Sequence, residues 1–294
     1  MFPNAPTAAP DPYLIADKQR QAVDLMRVMQ AEPDKYKPLA TSIPGFFLPN
    51  PNIPTVNFIG GEFKAFKSTL LSEFMFTYAQ AGYKTLWAVK EENVIGVAKR
   101  TLARGTRLGD IDMKNMVSRN NMRNITLSKD DFDRFDQTIT ESARFPLFIT
   151  DETDKINLLT EMAYAHDVQV IGVDYFTLFE IDGSKAKTPR EMYVEMSRHM
   201  VAAKRRDITW IVAYQVNDQG KAKETRVVYD DADNAWQLSR VKDAATDEID
   251  PHKLVMTAVA AREGQIGKWD LYVDGQYNLV HGQPQHAAQG IFTI

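Results

Sequence analysis

The sequence predicts an α/β fold, in which a mostly parallel, twisted sheet carries helices on both faces. Short apolar segments alternate along the chain with longer segments whose apolar residues recur at helical spacing. Such alternation favours a parallel sheet covered by helices. In addition, an apolar strand, a glycine turn and a helix follow one another directly in Val56–Leu71. The predicted strands are Val56–Ile59, Lys84–Val89, Phe145–Ile149, Val168–Val173, Ile208–Tyr214 and Leu254–Ala261.

Two elements are predicted near the C-terminal end of this alternation. A short helix is expected at Ala235–Val241. A hairpin is expected from Trp269–Val273 and Tyr277–Val280, because Asp274 and the glycine after it favour a tight turn between two apolar strands.

The N-terminal residues predict an extended arm followed by a helix. Prolines among small residues in Met1–Pro12 indicate the arm. Asp11 suits the N-cap and Pro12 the first helical position. An apolar stripe then runs to about Gln30, and Pro33 ends the helix. The stripe packs either on the chain's own domain or on a neighbouring subunit, and both interpretations stay open.

Composition narrows the class of protein. The chain has 294 residues and a mass of 33.3 kDa, enough for one large α/β domain plus an arm, or for two small domains. A formal net charge of −4 means that any nucleic-acid-binding surface must be local. The absence of cysteine excludes disulfides, thiolate catalysis and cysteine-based zinc sites. No apolar run approaches the ~18 residues of a membrane span, so a cytoplasmic protein is expected.

The segment Val56–Leu71 has the layout of a phosphate-binding loop. Its strand ends in a double glycine whose second member is Gly61, and a polar loop then delivers Lys67 and Ser68 to the start of a helix. In this layout backbone N–H groups face an anion, the lysine neutralises it and the hydroxyl ligates Mg²⁺. The pattern G-x-x-x-x-G-K-[ST] fits except that Phe66 replaces the second glycine. The segment alone therefore leaves a phosphate site and an ordinary strand-to-helix turn open.

Phe66 has a structural consequence under either interpretation. The glycine before the lysine allows backbone conformations that residues with a Cβ resist. Phe66 must therefore either hold a strained conformation or shape the loop differently.

Polar side chains follow four of the other predicted strands, at Glu91, Asp174, Gln215 and Arg262. A carboxylate in the position of Glu91 is well placed to act on a water molecule, although the pair Glu91–Glu92 also suits the start of a helix. Asp174 follows the most apolar strand of the chain. An aspartate there either holds Mg²⁺ beside Ser68 or ends a strand in a turn.

Two loops carry clusters of basic residues. The first leads into a helix that starts at about Arg190, and the second follows Asn217. Basic loops are usually solvated, so contact with nucleic acid is one of two interpretations. The candidates are Lys185, Lys187 and Arg190 in the first loop, and Lys221, Lys223 and Arg226 in the second.

The order of these motifs resembles the RecA-like ATPase domain of DnaB-type ring helicases, including phage replicative helicases. The most specific similarity is the sequence VIGVDYFTLF at Val170–Phe179. AYQVN at Ala213–Asn217 and PLFITDET at Pro146–Thr153 are also similar to the family. The similarity covers about Lys37–Val280. It implies a RecA-like P-loop NTPase fold and, for a phage-encoded chain, the cytoplasm of the host cell.

The resemblance implies a nucleotide site that binds ATP and Mg²⁺. Lys67 would contact the β- and γ-phosphates, and Ser68 and Asp174 would hold the metal. Glu91 would polarise the attacking water. The implied cofactor-binding residues are Gly61, Lys64, Lys67, Ser68, Thr69 and Asp174.

The resemblance also implies a homo-oligomeric ring, expected to be a hexamer, that acts on single-stranded DNA with replisome proteins as further partners. Gln215 would sense the γ-phosphate, and Arg262 would reach the site of the next subunit as an arginine finger. The two basic loops would line a central pore, and the helix that starts at Asp11 would dock on the adjacent protomer. The implied domains are 1–37 for the arm and linker helix, 38–283 for the ATPase and helicase domain, and 284–294 for a polar tail.

Two departures from the family pattern bear on the function. Phe66 replaces the loop glycine, and Ala260 stands where the family usually has a lysine. The favoured hypothesis is an ATP-dependent hexameric helicase or translocase. The alternative is a catalytically weak or inactive RecA-fold ring protein, such as a loader or mediator, that binds DNA or a replisome partner. A recombinase-like filament is a third hypothesis, which the Asp-Tyr sequence at Asp174 disfavours.

Overall fold

The computed structural model describes residues 15–106, 128–216, 230–242, 246, 248–262, 264–274 and 279–282. The chain divides into two compact units, Met1–Pro38 and Leu39–Ile294.

The first unit contains helix α1, Ile15–Ala31, and the short helix α2, Pro33–Tyr36. Pro33 was expected to end the first helix. That helix does end two residues earlier, and the proline occupies the first position of α2, where its missing N–H group costs nothing. The apolar side chains of α1 are exposed in this unit, among them Leu25 and Met26.

The second unit is built on strands joined by helices. Its strands are β1 Leu39–Ala40, β2 Phe47–Leu48, β3 Val56–Gly61, β4 Thr85–Val89, β5 Leu147–Thr150, β6 Val170–Asp174, β7 Thr209–Gln215, β8 Asn234–Lys242, β9 Ile249–Ala261, β10 Lys268–Asp274 and β11 Leu279–His281. Its helices are α3 Lys67–Gln80, α4 Val94–Thr106, α5 Lys129–Ser142, α6 Ile156–Ala165 and α7 Pro189–Lys204, with a 3₁₀ turn at Phe176–Leu178.

Nine strands form one sheet in the order β11-β10-β9-β8-β3-β7-β6-β4-β5. The six strands from β8 to β5 in this order are parallel to one another, whereas β9, β10 and β11 each run antiparallel to the strands beside them. The predicted mostly parallel sheet is therefore confirmed. The predicted hairpin is also present, since β10 and β11 pair with Val273 opposite Val280.

The predicted helix at Ala235–Val241 is wrong, because this segment is part of strand β8. Trp236 and Leu238 are buried on one face of the strand, whereas Ser239, which belongs to the other face, is exposed. This alternation has the period of two that is typical of a half-covered strand. β8 pairs with β3 on one side and β9 on the other, so tertiary pairing decides the conformation.

Apolar residues pack on both faces of the sheet. One core cluster joins α3 to the sheet and includes Phe74 and Trp236. The other joins α6 and α7 to the opposite face and includes Leu159 and Met196. The predicted cover of helices on both faces is confirmed. No helix in the described part of the chain has the length and apolar character that crossing a bilayer requires.

Gly172 sets the spacing between α3 and β6. A Cβ at this position would lie 2.6 Å from the sulfur of Met75, so a larger residue would require the Met75 side chain to move. The helix after the glycine turn and the strand that ends at Asp174 therefore pack close together.

Candidate nucleotide site

The carboxyl ends of the central parallel strands meet at one edge of the sheet. In the strand registers Gly61 pairs with Gln215, and Val89 pairs with Asp174. The loop 62–66 leaves the sheet at this edge and leads into α3. In open α/β sheets this edge is where ligands bind.

Phe66 holds a left-handed backbone conformation in this loop. Its φ and ψ are 57° and 28°, and Lys64 also has a positive φ of 58°. A residue with a Cβ pays roughly 1–2 kcal/mol in this region, whereas glycine adopts it freely. Of the two expectations for Phe66, the strained conformation is the one found. Its ring is partly buried against the core cluster beside α3.

Lys67 is the first residue of α3, and its ammonium group lies inside the loop. Lys67 Nζ donates a hydrogen bond to the carbonyl oxygen of Glu62 at 2.7 Å. Burial lowers the pKa of Lys67, and the carboxylates of Asp174 and Glu91 oppose this shift. The loop therefore surrounds a partly desolvated cation, which is the charge that an anionic ligand requires.

Ser68 and Asp174 are in direct contact. Ser68 Oγ donates a hydrogen bond to Asp174 Oδ1 at 2.8 Å. The Asp174 side chain is buried, and burial raises its pKa to about 6 despite the Ser68 hydrogen bond and the nearby cations Arg100 and Lys67. A hydroxyl and a carboxylate at this spacing fit Mg²⁺, which commonly takes one or two protein oxygens together with phosphate oxygens and water. Among the described residues no group of three or more His, Asp or Glu is arranged for a metal, so an ion here would rely on such outside ligands.

A cavity of about 440 Å³ opens beside these groups. This volume lies within the range of small-molecule sites. The ring of Phe66 is part of the wall and does not fill the space. The cavity is lined by Phe63, Lys64, Ala65, Phe66, Lys67, Ser68, Glu91, Tyr175, Gln215 and Arg240.

Glu91 reaches the cavity from a loop that the neighbouring strand holds in place. Lys90 Nζ donates to the carbonyl oxygen of Asp151 at 2.6 Å, and the Lys90 N–H donates to the carbonyl oxygen of Asp174 at 3.0 Å. The Asp151 carboxylate accepts the N–H of Val94 at 3.1 Å, at the start of α4. These contacts fix the backbone on both sides of Glu91, so its exposed carboxylate faces the phosphate loop. The alternative for Glu91–Glu92 was an acidic pair at the start of a helix, but α4 begins after the pair, at Val94, and has no acidic residue in its first turn.

Arg240 is a cavity residue that the sequence pattern did not indicate. Its guanidinium donates from Nη2 to the carbonyl oxygen of Lys64 in the phosphate loop. The segment was predicted to be a helix, and only the pairing of β8 with β3, with Leu238 opposite Gly61, places Arg240 next to the loop. A period-two pattern in 234–242 is the signal that could have found it.

Arg262 does not reach the cavity of its own chain. It follows β9 and lies beside Asp233, which pairs with Val56 at the start of β3. The phosphate loop leaves the other end of that strand. Five residues at about 3.3 Å each place the two ends roughly 16 Å apart, which is farther than an arginine side chain extends.

The remaining predicted residues lie apart from the cavity or outside the described part of the chain. Gly61 ends β3, and Thr69 is buried in the first turn of α3. In the first basic loop Lys185, Lys187 and Arg190 are all exposed. The second group, Lys221, Lys223 and Arg226, lies outside the described residues.

Solved structures with this fold are found among ATPases and helicases. An ATPase domain has a TM-score of 0.76 at 13% identity, over 93% of this chain and 100% of that domain. A DnaB-like replicative helicase, described with its interactions with primase, has a TM-score of 0.71 at 13% identity, over 90% of this chain and 66% of that one. A KaiC-like protein of the archaeon Pyrococcus horikoshii has a TM-score of 0.55 at 13% identity, over 85% and 100% of the two chains. At this identity the matches establish the RecA-like fold alone.

Sequence comparison establishes the family. Comparison with curated proteins finds no match. The profile of the DnaB-like helicase C-terminal domain, however, matches residues 67–280, which is more than half of the chain. The chain therefore belongs to the family of the DnaB-like helicase C-terminal domain.

Proposed function

We propose that this protein is an ATP-dependent helicase or translocase that forms a ring, acts on single-stranded DNA and hydrolyses ATP at the interfaces between its subunits. The observation that carries the proposal is the contact between Ser68 and Asp174 at 2.8 Å beside Lys67, at the edge of the sheet where Glu91 and Gln215 also face one cavity. Membership of the DnaB-like helicase family supports a helicase rather than another nucleotide-binding protein.

The residues of the cavity divide the work of phosphoryl transfer. Lys67 neutralises the β- and γ-phosphates, and an anion at its ammonium group replaces the weaker bond to the Glu62 carbonyl. Ser68 and Asp174 would hold Mg²⁺, which would offset the charge that develops on the phosphate oxygens. Glu91 orients the attacking water, and Gln215 contacts the γ-phosphate from the end of β7.

Arg262 acts on the site of a neighbouring subunit. Its position about 16 Å from its own phosphate loop supports this role, because no rotamer brings the guanidinium into its own cavity. An arginine finger supplied in trans is worth 10³-fold or more in phosphoryl transfer.

The exposed loop before α7 holds single-stranded DNA by its phosphates. The side chains of Lys185, Lys187 and Arg190 are exposed, and no hydrogen bond or ion pair of these side chains to another described residue is found. Cations of this kind contact the backbone of the strand and make binding dependent on salt.

The direct test is steady-state ATP hydrolysis with and without single-stranded DNA. We expect DNA to stimulate hydrolysis by the wild-type protein, and Lys67→Ala to abolish it by removing the charge that binds the phosphates. Lys84→Met serves as the control, since Lys84 forms an exposed ion pair with Asp167 away from the cavity. A verified ring that shows no stimulated hydrolysis would contradict the proposal.

The left-handed conformation of Phe66 favours a second candidate function. A strained phosphate loop is compatible with weakened ATP binding. The alternative is therefore a ring protein that binds DNA or a protein partner without hydrolysing ATP. Titration with a non-hydrolysable ATP analogue and Mg²⁺ separates the two. Tight binding supports the motor, and DNA binding that is indifferent to nucleotide supports the alternative.

A further inference from the structure

The backbone and guanidinium of Arg262 are both anchored to the segment just before β8. The Arg262 N–H donates to the carbonyl oxygen of Asp233 at 2.6 Å. Arg262 Nη2 donates to the carbonyl oxygen of Asp230, also at 2.6 Å. The turn after Arg262 passes directly over Asn234, because a Cβ on Gly264 would lie 2.1 Å from Asn234 Oδ1. The position of Arg262 therefore depends on the position of the segment 230–234.

Asp233 is held in turn by an ion pair with Lys204, whose side chain is 29% exposed. Lys204 Nζ lies 2.8 Å from both carboxylate oxygens of Asp233, and the Val56 N–H donates to one of them at 2.8 Å. The Asp233 side chain is only 7% exposed. Removing one partner of such a pair leaves an uncompensated charge in the interior, and the neighbouring backbone then moves or the carboxylate takes up a proton.

Helix α7 connects this ion pair to the first basic loop. Lys204 is the last residue of α7, and one face of the helix also carries Ser197, whose hydroxyl donates to Asp231 at 2.7 Å. The helix begins at Pro189, directly after Lys185 and Lys187, and Arg190 is in its first turn. The rise from Arg190 to Lys204 is about 21 Å. Met196 and Met200 are fully buried against the sheet, so α7 is packed as a rigid element.

We propose that the Lys204–Asp233 ion pair is the positioning element for Arg262, and that α7 connects it to the basic loop, so that DNA bound at the loop of one subunit controls hydrolysis in the next. This inference rests on the proposed role of Arg262 in a neighbouring site. Lys204 and Asp233 are positioning residues, because neither reaches the nucleotide cavity of its own chain.

The test measures kcat and KM for ATP in assembled rings, with and without single-stranded DNA. We expect Lys204→Met to lower the DNA-stimulated kcat by about 10- to 100-fold, because small misplacements of a catalytic group have effects of this size. KM should change by less than about twofold, since the residues that bind ATP are untouched. Lys204→Arg, which keeps the charge, should restore most of the activity, and Lys84→Met should match the wild type.

A double variant separates positioning from general destabilisation. If Lys204 acts only through Arg262, Lys204→Met combined with Arg262→Ala should be no slower than Arg262→Ala alone. Losses that multiply in the double variant would overturn the inference, and so would a Lys204→Met ring with the wild-type kcat. Should Lys204→Met fail to fold, Asp233→Asn gives the same test, because it removes the charge of the pair and keeps the shape of the side chain. We expect it to show the same loss of kcat, and wild-type kcat in Asp233→Asn rings would overturn the inference.

The same experiments distinguish failure of the proposed function from failure of this inference alone. A wild-type ring without hydrolysis overturns the motor and this inference together. A wild-type ring that hydrolyses ATP while Lys204→Met keeps full stimulation by DNA overturns the inference alone.

Discussion

The most unusual residue of the phosphate loop is Phe66, whose left-handed backbone conformation is unfavourable for a residue with a Cβ. The ring gains stability by packing on the core beside α3, and the backbone loses part of that gain through strain. Replacing Phe66 by glycine changes both quantities at once, whereas replacing it by alanine removes only the packing of the ring. Two substitutions are therefore needed to separate them.

We expect Phe66→Gly to be more stable than Phe66→Ala by about 1 kcal/mol, because both lack the ring and only alanine keeps the strained conformation. Denaturant unfolding of the two variants measures the difference. The glycine variant should also bind an ATP analogue more tightly than the wild type, since the loop then adjusts to the phosphates freely. An alanine variant as stable as the glycine variant would show that position 66 is not strained.

Because folding raises the pKa of Asp174, the stability of the folded protein depends on pH. Its pKa is raised from 3.8 to about 6 on folding. As pH rises between these values the unfolded chain loses the proton first, so Asp174 makes the folded state less stable over this window and has a constant effect above it. The change amounts to roughly 3 kcal/mol.

We therefore expect Asp174→Asn to gain stability relative to the wild type from about pH 4 to about pH 7, with no further gain above about pH 7. Unfolding by denaturant without nucleotide and Mg²⁺ measures this difference. Asp167→Asn is the control, since the Asp167 side chain is 88% exposed and should show no such gain. A difference between Asp174→Asn and the wild type that does not vary with pH would contradict the prediction.

Site residues in the phosphate loop and at the ends of predicted strands were predictable, whereas Arg240, in a strand that was not predicted, was missed. The spacing between the double glycine and Lys67 is local, so the loop pattern indicated the lysine and the hydroxyl that follow it. Arg240 lies in the same cavity only because β8 pairs with β3 from far along the chain. No local pattern in the sequence records that pairing.

At the scale of elements, a buried ion pair joins the helix of the phosphate loop to the helix after Glu91. Arg104 Nη2 on α4 lies 2.5 Å from the Glu73 carboxylate on α3, with side-chain exposures of 7% and 9%. The Arg104 guanidinium also lies 4.7 Å from the centre of the Phe76 ring. The two helices therefore move together if the pair stays intact.

Breaking this pair should cost far more than removing it whole. We expect Arg104→Met to destabilise the protein by about 3–5 kcal/mol, because Glu73 is then left with an uncompensated buried charge. The double variant Glu73→Gln with Arg104→Met should recover most of this loss. Denaturant midpoints of the three variants and the wild type form the cycle, and equal losses in the single and double variants would contradict the prediction.

Element prediction succeeded for the central parallel strands and for the hairpin of β10 and β11, and it failed at β8. The central parallel strands are buried on both faces and appear as continuous apolar runs, so β6 and β7 were found from the sequence. β8 begins buried and then alternates, and its short apolar run suits a helix or a strand equally. Its pairing with β3 and β9, which no local sequence encodes, decided the outcome.

At the scale of the whole molecule, the nucleotide cavity and Arg262 lie at opposite ends of β3. The sequence predicted an arginine finger only through resemblance to a family. The strand register gives a physical reason for it, because the roughly 16 Å between the two ends forbids the contact within one chain.

Mixing two impaired variants tests this division directly. Lys67→Ala rings lack the phosphate-binding lysine, and Arg262→Ala rings lack the finger. We expect each alone to hydrolyse ATP far more slowly than the wild type and activity to rise when the subunits are mixed, because roughly one interface in four then joins an intact Lys67 to an intact Arg262. ATP hydrolysis after subunit exchange is the measurement, and mixtures of each variant with itself are the control. No recovery in rings shown to contain both subunits would place Arg262 outside the site.

The separation of Arg262 from its own cavity also bears on how the enzyme would be switched on. A lone protomer would bind the triphosphate at one end of the molecule and carry the arginine that promotes its cleavage at the other. Folding of a single chain could not bring the two groups into contact. Turnover per chain would then climb with protein concentration and vanish on dilution. Unassembled subunits would therefore not consume cellular ATP.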